Sequence, residues 1–509
     1  MIRLLLLLSL LLFAQSGAGQ SLTVLYTNDI ESVYEPVASE WREDISRMGG
    51  MPYLSTLIKE QRQKYKHTLL VDAGDMFTGS LSKATEGRLV FDIYNAMGYD
   101  VGNLGNHEFE YGWRILLDSM QRARFPILNA NIRYDSTRMP FAQGSVILKS
   151  GPHRVGVIGL MGTDAFMNTM MRSNRDGLVI ESPFKTAQAL VNSLRTEVDF
   201  LIVLTHQNRT APMQTNKESD PTVLRGFDED YALAGQVQGI DLIVGGHSDN
   251  GLLQPVVHPK TGTAIVMTFG QGMHLGRITF DMDSEDRPKF KQGALIPVNA
   301  DQLQPDPSIT KLIEDARAKR PALTRKVARL SSPALRRYYR ESSLGSLLAD
   351  ALKQHAEVDV AMIPAGAIRA DLQSGPITVE ALLNVFPFTD KVSVVSLSGT
   401  TLLSVLEKGV SLDYGLSQFA GLELIYDSSQ VIGQRIIEVR VNGDPLEANR
   451  TYSFATGSFT ATGGEGYTMF EGHPQDISST LVSEAFISVF EQWRDISIPK
   501  LGRLKDIAR

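Results

Sequence analysis

The 509-residue sequence predicts a two-domain α/β protein. Its length exceeds what one hydrophobic core ordinarily organises. From Leu22 to Val298, short β-rich apolar runs alternate with amphipathic helical stretches, the pattern of strands wound with helices. Several of those runs stop abruptly at a polar residue beside glycine, which is where an α/β sheet places its chemistry.

Composition narrows the class. An apolar fraction of 43% with 21% charged residues is ordinary for a soluble enzyme, and no fixed-period repeat or long low-complexity tract interrupts it. The net charge of -7 gives no electrostatic reason to expect a nucleic-acid partner.

The chain opens on Met1, Ile2 and Arg3, then a nearly all-apolar run over 4–13, then the small residues Ser16, Gly17, Ala18 and Gly19. This reads as a signal peptide over 1–19. The run is shorter than the ~18 residues needed to span a bilayer, so no stable membrane insertion is expected. A count of zero cysteines excludes lipoprotein attachment and disulfides. The expectation is a secreted protein of the bacterial periplasm or exterior.

Four apolar runs end alike. Residues 22–27 lead into Asn28-Asp29-Ile30-Glu31, and 68–71 into Asp72-Ala-Gly-Asp75. Residues 200–205 lead into His206, and 240–244 into Gly245-Gly-His247-Ser248-Asp249. A fifth cluster, Gly105-Asn106-His107-Glu108, follows 100–104. Each run has the length and composition of a buried strand and delivers a possible metal ligand just past its end. Glycine beside Asp75, Asn106 and His247 allows a sharp turn and close approach to an anion.

These segments resemble the calcineurin-like metallophosphoesterase signature. In the second half, Glu341 to Asp350, Gly366-Ala-Ile-Arg369, Phe386-Pro-Phe388 and Gly463-Gly-Glu-Gly-Tyr467 resemble the C-terminal domain of secreted 5′-nucleotidases. The similarity runs from about Leu22 to about Phe470. It implies a metallophosphoesterase αββα sandwich over 20–299, a linker helix region over 300–330, and a smaller α/β (α+β) substrate-binding domain over 331–509.

The resemblance also implies a two-metal site. Asp75 would bridge the ions, with Asn106, His206 and His247 on the second and Asp29 on the first. Such a mixed set suits manganese, iron or zinc. Two positions depart from the family: Glu31 stands where it usually has His, and Asp249 where it has a neutral ligand or His. If both ligate, the first site becomes all oxygen, which favours manganese, magnesium, calcium or ferric iron over zinc. Four carboxylates would then neutralise two divalent cations, and the cluster would attract a phosphate dianion less strongly. By resemblance His107 stabilises the phosphoryl oxygens or helps the leaving oxygen depart, Glu110 is its carboxylate partner, and Asn106 contacts both metal and phosphate. No Ser-His-Asp or Cys-His arrangement supports a covalent route, and Ser80 is expected to shape a loop.

In the second half, Ile309, Leu312, Ile313 and Ala316 fall on one helical face after Pro305 and Pro307. Strands are expected around 392–397, 422–426 and 436–441, and a helix over 344–355. Arg369 is the candidate contact to a ribose hydroxyl or phosphate. Family members stack the base between two aromatic rings; Tyr467 is assigned to one position, and Leu416, with Phe419 close by, falls at the other. Pro364, Ser343 and Ser346 stand where the family has Asn. The expected activity is metal-dependent hydrolysis of nucleotide phosphate monoesters. The alternatives are the same fold acting on nucleotide sugars, cyclic nucleotides or other phosphoesters, and a secreted non-catalytic binding protein.

Overall fold

The computed structural model describes residues 21–39, 42–208, 226–283 and 287–508; the leader assigned to 1–19 lies outside them. Two six-stranded sheets build the first domain. One runs in the order Lys289–Pro297, His274–Asp281, Ser21–Thr27, Thr68–Asp72, Val101–Asn103, Ile127–Leu128. The other runs Val256–Val257, Ala264–Val266, Leu242–Val244, Phe200–His206, His153–Met161, Ser145–Ser150.

Side-chain alternation explains why the sheets stack. Val24, Tyr26 and Val71 point inward and share one apolar layer with Val155, Val157, Phe200, Ile202 and Leu204 of the other sheet. Their neighbours point outward under helices: Leu25 and Leu70 against Leu54, Ile58 and Ile93, and Leu201 and Val203 against Ala187, Val191 and Leu233. The layers are therefore helix, sheet, sheet, helix.

In the second domain a five-stranded sheet runs Gln418–Ala420, Val360–Ile363, Thr451–Gly457, Lys391–Ser398, Gln475–Leu481. The helices Ser343–Ala356 and Val482–Trp493 pack on one face through Leu348 and Phe486, and Gly399–Gly409 covers the other through Leu402, Val405 and Leu406. A four-stranded sheet contains Leu422–Tyr426 and Ile436–Val441. The strand Lys326–Leu330, inside the range assigned to the linker, pairs with Gly375–Thr378 and Asp495–Ile496, so the second domain's pairing begins there.

The connecting helix Pro307–Ala318 buries Ile309, Ile313 and Ala316, while Leu312 is half-buried. Pro307 occupies its first turn, where a missing N–H is harmless. Asp306 caps it, accepting from the Ser308 N–H at 3.0 Å. The same carboxylate accepts from Ser55 Oγ at 2.6 Å and pairs with Lys59, tying the helix to the first domain. Ser80 starts the short helix Ser80–Ala84, and its hydroxyl donates to Asn384 of the second domain at 2.9 Å. The loop role expected for Ser80 is thus replaced by an inter-domain contact.

Burial raises the Asp306 carboxyl, but hydrogen bonds from Lys59, Ser55 and Ser308 outweigh it and hold it below the usual carboxylate range. The stability this group confers is present above its unfolded pKa of about 4 and is lost as pH falls further. Asp306→Ala should destabilise by about 1–3 kcal/mol at neutral pH. In denaturant melts, the gap to wild type should shrink below about pH 4. A gap unchanged with pH would refute the ionised-cap account.

Candidate metal and catalytic site

The site is assembled by turns that leave the sheets on one side. Ser21–Thr27, Thr68–Asp72 and Val101–Asn103 are parallel to one another, as are Phe200–His206 and Leu242–Val244, so each group delivers its C-terminal ends together. Five candidate residues then turn left-handed: Asp29 (φ 51°), Glu31 (50°), Asp75 (55°), His247 (79°) and Asp249 (53°). For L-residues this region costs about 1–2 kcal/mol each, and such positions cluster at functional sites. Backbone bonds between the turns hold them, Asp29 N–H to Gly74 O at 2.9 Å and Glu31 N–H to Asp75 O at 3.0 Å.

Glu108, to which the sequence pattern assigns no role, fixes the middle turn. Its buried carboxylate accepts from the backbone N–H of Asp75 (3.0 Å), Met76 (2.7 Å), Phe77 (3.3 Å) and Gly105 (2.6 Å). The two loops it joins touch backbone to backbone. A Cβ on Gly105 would lie 2.2 Å from Asp75 Oδ1, and one on Gly74 would lie 2.6 Å from Gly105 N. Only glycine fits at either place.

On the imidazole side, His206 Nε2 lies 3.0 Å from Asp75 Oδ2 and 3.1 Å from Asn106 Oδ1. Its Nδ1 sits 3.1 Å from Ala73 O, so that nitrogen carries the proton and Nε2 faces the site. His247 Nε2 is buried and has no hydrogen-bond partner among the described residues. Burial, reinforced by His206, pushes the His247 imidazole down to about 3, which keeps it neutral with a lone pair to offer. Asp75, His206 and His247 bring ligand atoms within 4.8 Å of one another.

The opposite side is acidic. The Asp29 carboxylate accepts the His247 N–H at 3.0 Å and Asn28 Nδ2 at 2.6 Å. Asp249 Oδ1 is buried without a partner among the described residues, and burial, with Glu31 and Asp29 nearby, raises its carboxyl well above the usual range. Glu31 Oε1 accepts from Arg369 Nη2 and lies 3.3 Å from His107 Nε2. Arg369 Nη2 is 3.8 Å from Asp249 Oδ2, so this residue reaches into the site from the second domain.

His107 stands between the two halves. Its backbone N–H donates to Asp75 Oδ1 at 2.8 Å, and its Nδ1 meets Glu110 Oε1 at 2.6 Å. Glu110 is itself oriented by Thr78 Oγ1 at 2.8 Å. Burial lowers the His107 pKa, but Asp75 and Glu110 more than reverse this and hold it well above the ordinary value.

Asn106, His107 and Glu110 form one wall of a cleft, open to solvent, whose other wall is the second domain. That wall carries Phe388, Phe459 and Glu465. The expected aromatic and apolar substrate contacts are not there. Leu416 and Phe419 are fully buried in the second domain's core, and Tyr467 is 2% exposed with its hydroxyl on Ser417 at 2.7 Å. Phe388 belongs to the Phe386-Pro-Phe388 motif, and Phe459 precedes Gly463, so the signal lay within reach. What chain order does not reveal is which ring points outward.

Residues 22–249 match the calcineurin-like phosphoesterase family model, and residues 321–472 match the 5′-nucleotidase C-terminal domain. The human 5′-nucleotidase is 28% identical over 92% of this chain and 87% of its own length. The venom 5′-nucleotidase of Crotalus adamanteus is 28% identical over 90% of this chain and 84% of its own. A solved 5′-nucleotidase precursor from Thermus thermophilus superposes with a TM-score of 0.81 at 24% identity, covering 96% of this chain and all of that one. Fold and site define a metallophosphoesterase, a hydrolase of phosphate esters. Within that class the chain is 5′-nucleotidase-like, with a matching C-terminal domain and relatives named 5′-nucleotidase along most of its length.

Glu108→Gln would turn an amide NH₂ toward backbone donors. It should lower stability by about 1–3 kcal/mol and reduce bound manganese, read by thermal melts and elemental analysis of the same sample. Full metal content in a stable Glu108→Gln protein would show that the Asp75 turn holds itself.

Proposed function

We propose that this protein is a secreted enzyme, periplasmic or extracellular, that releases phosphate from nucleotide monophosphates. The observation that supports the substrate class most directly is the composition of the cleft. His107 and Glu110 on one wall face aromatic rings and a carboxylate on the other. The donor set suits divalent ions: His247 Nε2 and Asp249 Oδ1 are buried polar atoms that the protein leaves unpartnered among the described residues. Asp75, Asn106, His206 and His247 would hold one ion; Asp29, Glu31 and Asp249, sharing Asp75, would hold another. Manganese, iron or zinc fits the imidazole half, and magnesium or calcium also fits the carboxylate half. Bound there, such ions supply Lewis acidity toward the phosphoryl group.

The chain's own residues do the rest. Glu110 keeps the Nδ1 proton of His107 and stabilises the imidazolium, leaving Nε2–H to donate to a phosphoryl or leaving oxygen. The Asn106 amide orients the phosphoryl group beside His206. Arg369 adds positive charge from the second domain, where a phosphate oxygen would approach. Phe459, 42% exposed although aromatic, and Phe388 offer ring faces to a base. Stacking of this kind contributes about 1–3 kcal/mol per base. Glu465 lines the same wall and accepts hydrogen bonds from sugar hydroxyls.

The primary test is phosphate release from AMP by chelated protein reloaded with manganese. Manganese-dependent release is expected; none with any divalent ion, on folded protein, would overturn the reading. His107→Ala should lower kcat roughly 100-fold or more with manganese content unchanged. Phe459→Ala should raise KM for AMP roughly tenfold and leave KM for glycerol phosphate alone. An equal effect on both substrates would show that the ring does not read the base.

A further inference from the structure

Arg369 is held in place before its side chain enters the site. Its N–H donates to Val385 O at 2.8 Å, and its carbonyl accepts from Arg336 Nη1 at 2.9 Å and Gln271 Nε2 at 3.3 Å. From there Nη2 donates to Glu31 Oε1 and stands 3.8 Å from Asp249 Oδ2. Glu31 and Asp249 are the two positions where carboxylates replace the residues that the family resemblance led one to expect. Both added carboxyl groups therefore face one guanidinium. Among the described residues, by contrast, no lysine or arginine pairs with Asp75.

The oxygen that Arg369 holds is also the one turned toward the site. Glu31 Oε1 is the atom 3.3 Å from His107 Nε2, and Glu31, Asp75 and His107 bring ligand atoms within 4.8 Å of one another. A cation entering the acidic half would seek the atom Arg369 already occupies, beside a fixed positive charge. Resting on the metallophosphoesterase reading above, we propose that Arg369 and a divalent ion compete for the carboxylate-rich half of the site. With the second domain docked, the guanidinium is the counter-charge of Glu31 beside Asp249, and an ion binds there only by loosening that pairing. Because coupling between two binding events is reciprocal, the second ion and the docking of Arg369 weaken each other equally.

The competition is read by titrating metal-free full-length protein with manganese, with calorimetry for the steps and electron spin resonance for coupling between paired ions. Wild type should take up one ion tightly and a second more weakly. Arg369→Gln should tighten the second step roughly tenfold or more and leave the first unchanged, while Arg369→Lys, which keeps the charge, should stay near wild type. An unchanged or weakened second step in Arg369→Gln would overturn the proposal, and an intact first step reports that the variant is folded. Wild type supplies an independent measurement: hydrogen exchange across 366–371 should rise when the second ion binds and not when the first does. No rise, or a fall, would also overturn it. Phosphate release is assayed separately. Competition without release would sink the functional reading alone, and release without competition would sink only this inference.

Discussion

The carboxylate of Glu108 is the point on which the site depends. Four backbone N–H groups from two loops converge on one buried acid, and through it the Asp75 turn and the Gly105 turn become a single rigid piece. Asp75 in turn receives the His107 N–H and faces His206. An acceptor away from water forms strong hydrogen bonds because nothing competes for it. Left-handed φ at Asp29, Glu31 and Asp75 persists because these turns are bonded to one another and not to solvent.

Rigidity in the first domain contrasts with the makeup of the cleft. One wall presents groups fixed within hydrogen-bonding distance of each other, the arrangement that general acid chemistry needs. The facing wall belongs to a different sheet system and presents rings and a carboxylate. The two walls thus belong to separate layers of structure, joined by contacts such as Ser80 to Asn384 and Arg317 to Glu380.

Much of this was legible in the sequence, for a physical reason. A buried strand must be apolar for five to seven residues, so the polar residue that ends it stands out, and glycine beside it marks a turn where backbone approaches backbone. Thr68–Asp72 was visible on both grounds, Ser21–Thr27 and Phe200–His206 on the first, and the apolar stripe of Pro307–Ala318 by its helical spacing. Contacts between distant segments were not. The pairing of Glu31 with Arg369 joins residues 338 apart in the chain. Leu416, Phe419 and Tyr467 sit near motif positions yet face the core, because strand Gln418–Ala420 turns Phe419 inward and Ser417 captures the Tyr467 hydroxyl. Glu108 stood in the Gly105-Asn106-His107-Glu108 cluster without an assigned role, because three of its four donors come from the distant Asp75 turn.

The helix Pro307–Ala318 has a mechanical consequence. Its stripe of Ile309, Ile313 and Ala316 belongs to one continuous apolar seam that reaches Leu54 and Ile58 on one side and Leu344, Phe486 and Phe490 on the other. A seam of this shape resists shear, since sliding would expose it along its whole length. It resists rolling as well, since turning the helix in place would carry Ile309, Ile313 and Ala316 out of the seam. The helix is thus a splint between the two domains, and moving one wall of the cleft against the other would first have to peel it from one of them.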